Sequence, residues 1–199
     1  MYLRFDSRRA PANDVKLAAM TDRSATIRCR PLAVLSLAAL AALATTAAVT
    51  AAAGLIGQRA PDFTLPAVGG TNVRLSEYRG QAVIISFWSS RCSVCARQLA
   101  LLDRLYSTYR SSGLIVLAVS VDDEPLQAEQ YAHAHPAGFA LLLDTAKAVS
   151  RAYAIDRLPS TVLIDRSGIV RYWHGDERAD DDSYVTQIRA LLDDAVAAP

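Results

Sequence analysis

Residues 83–95, VIISFWSSRCSVC, join a nearly unbroken apolar run to a pair of cysteines. The run from Val83 to Trp88 is too short for a typical helix and too continuous for a strand that faces water, so it predicts a buried central strand. After the cysteines, large side chains recur at helical spacing, namely Leu99, Leu102, Leu105, Tyr106 and Tyr109. The stretch therefore predicts a strand that leads directly into a helix, with Cys92 and Cys95 at the first helical turn.

The first turn of a helix gives the two thiols particular chemistry. Cys92 would lie near unpaired backbone N–H groups and the positive end of the helix dipole, and both stabilise a thiolate. Cys95, three residues later, lies about one turn away on the same face, within reach of a disulfide. The pair is predicted to act as a dithiol switch.

Length and charge exclude several classes of protein. The chain has 199 residues and a formal net charge of +1, with Lys and Arg scattered along it, so nothing indicates a nucleic-acid partner. Three cysteines are too few for a disulfide scaffold. The length allows one good-sized domain and a tail.

An uncharged segment divides the N-terminal part of the chain. Residues 1–30 are polar and basic, predicted to be a cytoplasmic tail, and residues 31–57 contain no charged side chain. This run is long enough to span a bilayer as a signal anchor, but its Leu-rich start and Ala-rich end are also typical of a cleaved signal peptide. We favour the anchor because of the length. Either alternative places the domain outside the cytoplasm, on the periplasmic side, anchored or secreted after cleavage. Met20 is an alternative start that leaves a shorter basic flank.

Residues 58–199 are predicted to form one α/β domain. The predicted strands are 63–65 and 73–75, paired as a hairpin, then 83–88, 114–121, 139–143, 161–165 and 169–173. The predicted helices start at the cysteines, at Pro125 after the acidic residues 122–124, at Lys147, and at an Asp182-Ser183 cap. The last helix would bury Val185, Ile188, Leu191, Leu192 and Val196. This order favours a mixed sheet covered by helices on both faces.

Several motifs in this domain carry a resemblance. They are Ala60–Leu65 with Leu75–Gly80, Phe87-Trp88 with the two cysteines, residues 121–153, Leu158–Gly168 and Arg171–Gly175. On these motifs, residues 58–177 resemble the thioredoxin superfamily, specifically the membrane-tethered TlpA/ResA/CcmG-like thiol–disulfide oxidoreductases. The resemblance implies a thioredoxin-like mixed sheet flanked by helices, with an N-terminal β-hairpin extension and a preceding signal-anchor helix.

The resemblance also implies what the protein works with. It would be a monomeric enzyme that exchanges disulfides with exported proteins carrying disulfides or dithiols, and would touch the membrane through residues 31–57. It would need no cofactor beyond the redox-active cysteine pair and no metal. Reduction of a partner, as in cytochrome c maturation, is the first choice of role, and oxidation of substrates is the second.

The same resemblance implies roles for single residues. Cys92, the more exposed thiol, would attack, and Cys95 would resolve the mixed disulfide. Pro159 would follow a cis peptide bond and lie against the dithiol, although an ordinary proline at the entry of a strand is the alternative. The substrate-binding residues would be Trp88, Arg91, Leu158 and Pro159.

The sequence departs from the family pattern beside the dithiol. Arg91 replaces the usual Trp before the first cysteine, and Val94 the usual Pro before the second. Gln98 stands where related proteins have Glu, and Ser86 where plain thioredoxin has a buried Asp. Without these carboxylates Cys95 is harder to deprotonate, while Arg91 favours the Cys92 thiolate. A stabilised reduced form is a stronger oxidant, so the direction of transfer stays open.

The cysteine pair has four alternative interpretations. Half a zinc site needs two more ligands, and Cys29 would lie across the membrane from it. A purely structural disulfide is another alternative. A peroxiredoxin is disfavoured because Ile85 stands where its usual Pro belongs. A redox-inactive binding module is the alternative from a different class, and the intact cysteines argue against it.

Overall fold

A computed structural model of the protein describes residues 53–175 and 181–193. The predicted tail of residues 1–30, with Met20 and Cys29, and residues 31–52 of the uncharged run lie outside the described residues. Within the described ranges, no helix is both long enough and apolar enough to cross a membrane. The signal anchor therefore stays a prediction.

Seven strands and four α-helices make up the described part of the chain. The strands are β1 (Thr64–Pro66), β2 (Asn72–Arg74), β3 (Ala82–Trp88), β4 (Leu114–Ser120), β5 (Ala140–Leu143), β6 (Ser160–Ile164) and β7 (Val170–His174). The helices are α1 (Ser93–Tyr109), α2 (Pro125–Ala134), α3 (Ala148–Ala152) and α4 (Asp181–Asp193). Three short 3-10 helices cover Ala53–Leu55, Leu75–Tyr78 and Arg110–Ser112.

The main sheet is built around β3. It has five strands in the order β5-β4-β3-β6-β7. β3 pairs in parallel with β4 and antiparallel with β6, so the predicted mixed sheet is confirmed. Every residue of β3 is buried, as its apolar run predicts for a strand covered on both faces.

Helices and loops cover the two faces of this sheet. Because successive side chains of a strand point to opposite faces, β3 contributes to two separate cores. The first contains Ile84, Trp88, Leu102 of α1, Ala128 of α2 and Ile188 of α4. The second contains Val83, Ile85, Phe87, Leu65 of β1 and Tyr153 after α3. The layered α/β class is therefore confirmed.

The N-terminal part of the domain runs along both edges of the main sheet. The Gly57 N–H donates to the Val170 carbonyl at 2.8 Å, so residues before 58 already contact the domain. Further on, β1 and β2 form a separate antiparallel pair. Between them, Val68 donates its N–H to Leu141 of β5 at 2.8 Å. The segment thus contacts β7 at one edge and β5 at the other.

Helix α4 differs from its prediction. It includes Asp182 and Ser183 in its first turn, and it fully buries Tyr184 there, while Val185 is partly buried against the same core. The tyrosine has an apolar ring and a hydroxyl that finds a buried partner in Gln98 at 2.8 Å. The predicted face did not include Tyr184, because apolar periodicity alone gives no weight to such a partner. Val196 lies outside the described residues.

Candidate active site

The candidate site residues gather along the edge of the main sheet that is formed by one end of its central strands, not by an outer strand. Trp88, the last residue of β3, pairs with Ser120 at the end of β4, and the neighbouring Phe87 pairs with Ser160 at the start of β6. The loop to the cysteines, the loop after β4 and Pro159 therefore all meet at this edge. The sequence could not give this register, because it joins residues more than thirty positions apart.

The two cysteines are joined by a disulfide at the start of α1. Their Cα atoms are 5.2 Å apart. Cys92 is the N-cap residue, and its Sγ accepts the Cys95 N–H at 3.2 Å. Cys92 is partly exposed, whereas Cys95 is only 1% exposed. The outer sulfur is therefore accessible to a partner, receives a hydrogen bond, and lies at the positive end of a seventeen-residue helix.

Asp122 holds the loop that leads into the cysteines. Its carboxylate is buried and accepts hydrogen bonds from the Ser89 hydroxyl at 2.7 Å and from the Ser90 N–H at 3.0 Å. The hydroxyls of Ser90 and Ser120 donate to it as well, at 3.0 and 2.8 Å. Burial alone would raise the pKa of Asp122, but the hydrogen bonds from Ser89, Ser90 and Ser120 outweigh it and hold the pKa below its ordinary value.

Sequence reasoning missed this carboxylate. It assigned Asp122 to the acidic residues before a helix start at Pro125. That start is confirmed, with Glu124 as the N-cap residue, but the Asp122 carboxylate accepts its hydrogen bonds from the loop before Cys92. A usable signal was present, because serines lie at the ends of two predicted apolar strands, at Ser89, Ser90 and Ser120. An acid placed directly after one of those strands could reach them at the common edge.

Gln98 and Ser86 occupy the positions where related proteins have carboxylates. Gln98 is buried, and its Nε2 donates to the Tyr184 hydroxyl at 2.8 Å and to Thr161 Oγ1 at 3.4 Å. The Ser86 hydroxyl is buried and has no hydrogen-bond partner in the described part of the chain. Neither a neutral amide nor a hydroxyl takes up a proton at ordinary pH, so neither Gln98 nor Ser86 supplies a base to Cys95.

The predicted substrate-binding residues separate into two groups. Trp88 is 1% exposed and packs on Tyr131, with ring centroids 4.7 Å apart. The Trp88 ring thus belongs to the first core, and its role in substrate binding stays a prediction. Arg91 is exposed and Leu158 partly exposed, so both are accessible. Pro159 is buried and follows a cis peptide bond, as the resemblance implies.

A groove opens beside Leu158. Its volume is about 320 Å³. It is lined by Val121, Lys147, Ser150, Arg151, Ile155, Asp156, Arg157 and Leu158. Val121 directly precedes Asp122, and Leu158 directly precedes Pro159, so the groove begins at the edge that carries the dithiol. Among the described residues, no group of three or more His, Cys, Asp or Glu side chains is placed to hold a metal ion.

This fold and its dithiol define a class, that of thioredoxin-like thiol–disulfide oxidoreductases. A disulfide at a helix start, a central strand that leads into it and a neighbouring cis-proline loop are its elements. The chain belongs to the AhpC/TSA family, which it matches over residues 56–173, more than half its length.

Individual relatives agree with this class. The chain is 37% identical to the thiol-disulfide oxidoreductase ResA of Geobacillus kaustophilus over 116 residues, 58% of this chain and 67% of that one. To ResA of Bacillus subtilis it is 30% identical over 114 residues, 57% of this chain and 64% of the relative. A crystal structure assigned to the thiol:disulfide interchange protein DsbE of Chlorobium tepidum aligns with a TM-score of 0.66 and 33% identity. It covers 69% of this chain and 97% of its own. The predicted enzyme class, a protein thiol–disulfide oxidoreductase, is thereby confirmed.

Proposed function

We propose that this protein exchanges disulfides with exported partner proteins through Cys92 and Cys95. In the reducing direction, the Cys92 thiolate attacks one sulfur of the partner disulfide and forms a mixed disulfide, and the other partner sulfur leaves as a thiolate and takes up a proton. Cys95 then loses its proton and attacks Cys92, which releases the second partner sulfur. Two electrons pass from the dithiol to the partner.

One observation carries this proposal: the two sulfurs differ in access. Cys92 is partly exposed and receives the Cys95 N–H, while Cys95 is almost completely buried. A partner reaches the outer sulfur first, and the inner sulfur reacts only with the sulfur beside it. Leu158 and Arg91, which are accessible near this edge, are proposed to contact the partner, with the backbone near Pro159 pairing with an extended segment.

Reduction of the partner is the direction we propose. The resemblance to the CcmG-like group implies this direction, with a role in cytochrome c maturation. Oxidation of substrates is the second candidate, and a specific observation favours it. Gln98 and Arg91 replace residues of the family pattern. A neutral Gln98 adds no anion that would disfavour the thiolate of the reduced form, and a cation at Arg91 would favour that thiolate. The protein would act as a monomer on the outer side of the membrane, held there by residues 31–57.

Cysteine variants test the mechanism. In the full-length protein with Cys29→Ser, we expect Cys92→Ser to abolish insulin reduction, because the attacking sulfur is gone. Cys95→Ser should instead accumulate a mixed disulfide with the partner, seen as a band on a non-reducing gel that dithiothreitol removes. Full insulin reduction by Cys92→Ser would exclude the mechanism.

A glutathione titration of the same full-length protein tests the direction. A reduction potential near that of thioredoxin, about −270 mV, supports the reductant, and one near that of DsbA, about −120 mV, supports the oxidant. Resistance of the domain to protease added to intact cells, compared with spheroplasts, would test whether it lies outside the cytoplasm.

A further inference from the structure

We propose that Asp122 is a positioning residue for the dithiol, which fixes the backbone of Cys92 through Ser89. The inference rests on the function proposed above for the two cysteines and names a residue that governs the reactivity of the first. Asp122 contacts neither a substrate nor the sulfurs in the proposed mechanism.

The first step is that the Asp122 charge is held by neutral donors. The side chain is 5% exposed, and among the described residues no Lys, Arg or His forms an ion pair with it. A buried carboxylate is costly unless several hydrogen bonds replace its water. Here the donors are three serine hydroxyls and one backbone N–H. Two of these residues, Ser89 and Ser90, belong to the loop before Cys92, so the carboxylate fixes that loop onto β4.

The second step is that Ser89 passes this constraint to Cys92. Its hydroxyl donates to Asp122 at 2.7 Å and accepts the Arg91 N–H at 3.3 Å. Its carbonyl accepts the Cys92 N–H at 3.1 Å. Ser89 therefore links the carboxylate to the backbone of the attacking cysteine, with its hydroxyl bonded to Asp122 and its carbonyl to the Cys92 N–H.

The third step is that Cys92 depends on its position for its chemistry. A helix start lowers the pKa of a thiol only while the sulfur faces the N–H groups of the first turn, and here the Cys95 N–H lies 3.2 Å from Cys92 Sγ. If the loop moves, the sulfur loses this donor. The charge of Asp122 alone would act in the opposite sense, since a nearby anion disfavours a thiolate. Positioning and charge therefore predict effects of opposite sign.

A second buried carboxylate provides a matched control. Asp165 is 4% exposed, accepts the Ile169 N–H at 2.8 Å and pairs with Arg171 at 2.6 Å. It follows β6 at Ile164, which pairs with Val83 at the opposite end of β3. Its loss should destabilise the fold without any path to Cys92.

The experiment measures how fast iodoacetamide alkylates Cys92 between pH 4 and pH 10. It uses full-length protein in detergent with Cys29→Ser and Cys95→Ser, so that one thiol reports. We expect both Asp122→Asn and Ser89→Ala to raise the pH midpoint of alkylation by about one unit, which slows alkylation about tenfold at pH values below the midpoint of the parent protein. Asp165→Asn should lower the melting temperature but leave the pH midpoint of alkylation unchanged. Ser89→Thr, which keeps the hydroxyl, should have the midpoint of the parent protein.

Two results would overturn the proposal. If Asp122→Asn speeds alkylation while Ser89→Ala has no effect, the carboxylate acts through its charge. If both variants only lower the melting temperature, as Asp165→Asn does, the role is structural. Should Asp122→Asn fail to fold, Ser89→Ala against Ser89→Thr decides alone. An unperturbed midpoint near 8.5 in the parent protein would instead contradict the proposed function, so the two failures are distinguishable.

Discussion

At the scale of single residues, the most informative side chain beside the dithiol is Gln98. It lies one turn after Cys95 on α1, and its amide donates to Tyr184 and Thr161 inside the first core. A polar side chain that is buried at this position needs hydrogen-bond partners, and the amide has them without carrying a charge. The site thus combines an outer sulfur at the start of α1 with an inner sulfur that has no carboxylate at this position to take a proton from its thiol form.

Restoring a carboxylate tests this account. We expect Gln98→Glu to lower the reduction potential of the Cys92–Cys95 pair by about 30 mV or more, a tenfold change in the equilibrium with glutathione, because a nearby anion disfavours the thiolate of the reduced form. Gln98→Met, which is similar in size and uncharged, is the control and should shift the potential less. A more positive potential for Gln98→Glu would contradict the electrostatic argument.

At the scale of elements, the sequence prediction and the structure agree most closely on β3 and α1. The apolar strand and the helical spacing after the cysteines predict both elements, since each depends on local pattern. Asp122 and Tyr184 were not found because their roles depend on partners far away in the chain, at Ser89 and Gln98. Trp88 ends the buried strand as predicted, and its side chain lies in the first core.

The contact between α1 and α4 gives a stability prediction. Tyr184→Phe removes the hydroxyl that accepts the Gln98 amide, and should lower the free energy of unfolding by about 1 kcal/mol. Urea denaturation at pH 7 measures it. Tyr106→Phe is the control, because the Tyr106 hydroxyl has no hydrogen bond in the described part of the chain while its ring packs on Phe139. Equal losses in the two variants would show that the buried hydrogen bond contributes nothing.

At the scale of the whole molecule, the folded state depends on acids that must stay ionised. Hydrogen bonds lower the pKa of Asp122 in spite of its burial, and those from Ser76 and Arg74 do the same for Asp62. A carboxyl whose pKa is lower in the folded state than its ordinary value near 3.9 stabilises the fold above that value. This contribution is lost as the pH falls through the folded pKa.

Acid unfolding should therefore depend on Asp122. We expect the free energy of unfolding to fall as the pH is lowered from about 5 to below 3, and to fall less in Asp122→Asn, which has no carboxyl to protonate. Urea denaturation at a series of pH values measures the slope. Asn at position 122 should also make the protein less stable at pH 7. Parallel pH profiles for the two proteins would refute the linkage.

The contact of Gly57 with the main sheet has a consequence for how the enzyme meets its partners. Gly57 joins the sheet at Val170, next to Ile164 and therefore at the end of β3 remote from Cys92. Any tether ahead of residue 53 would be attached at this end of β3. With such a tether, the attachment point and Cys92 would lie at opposite ends of β3, and a folded partner would meet the reactive sulfur on the side away from the tether.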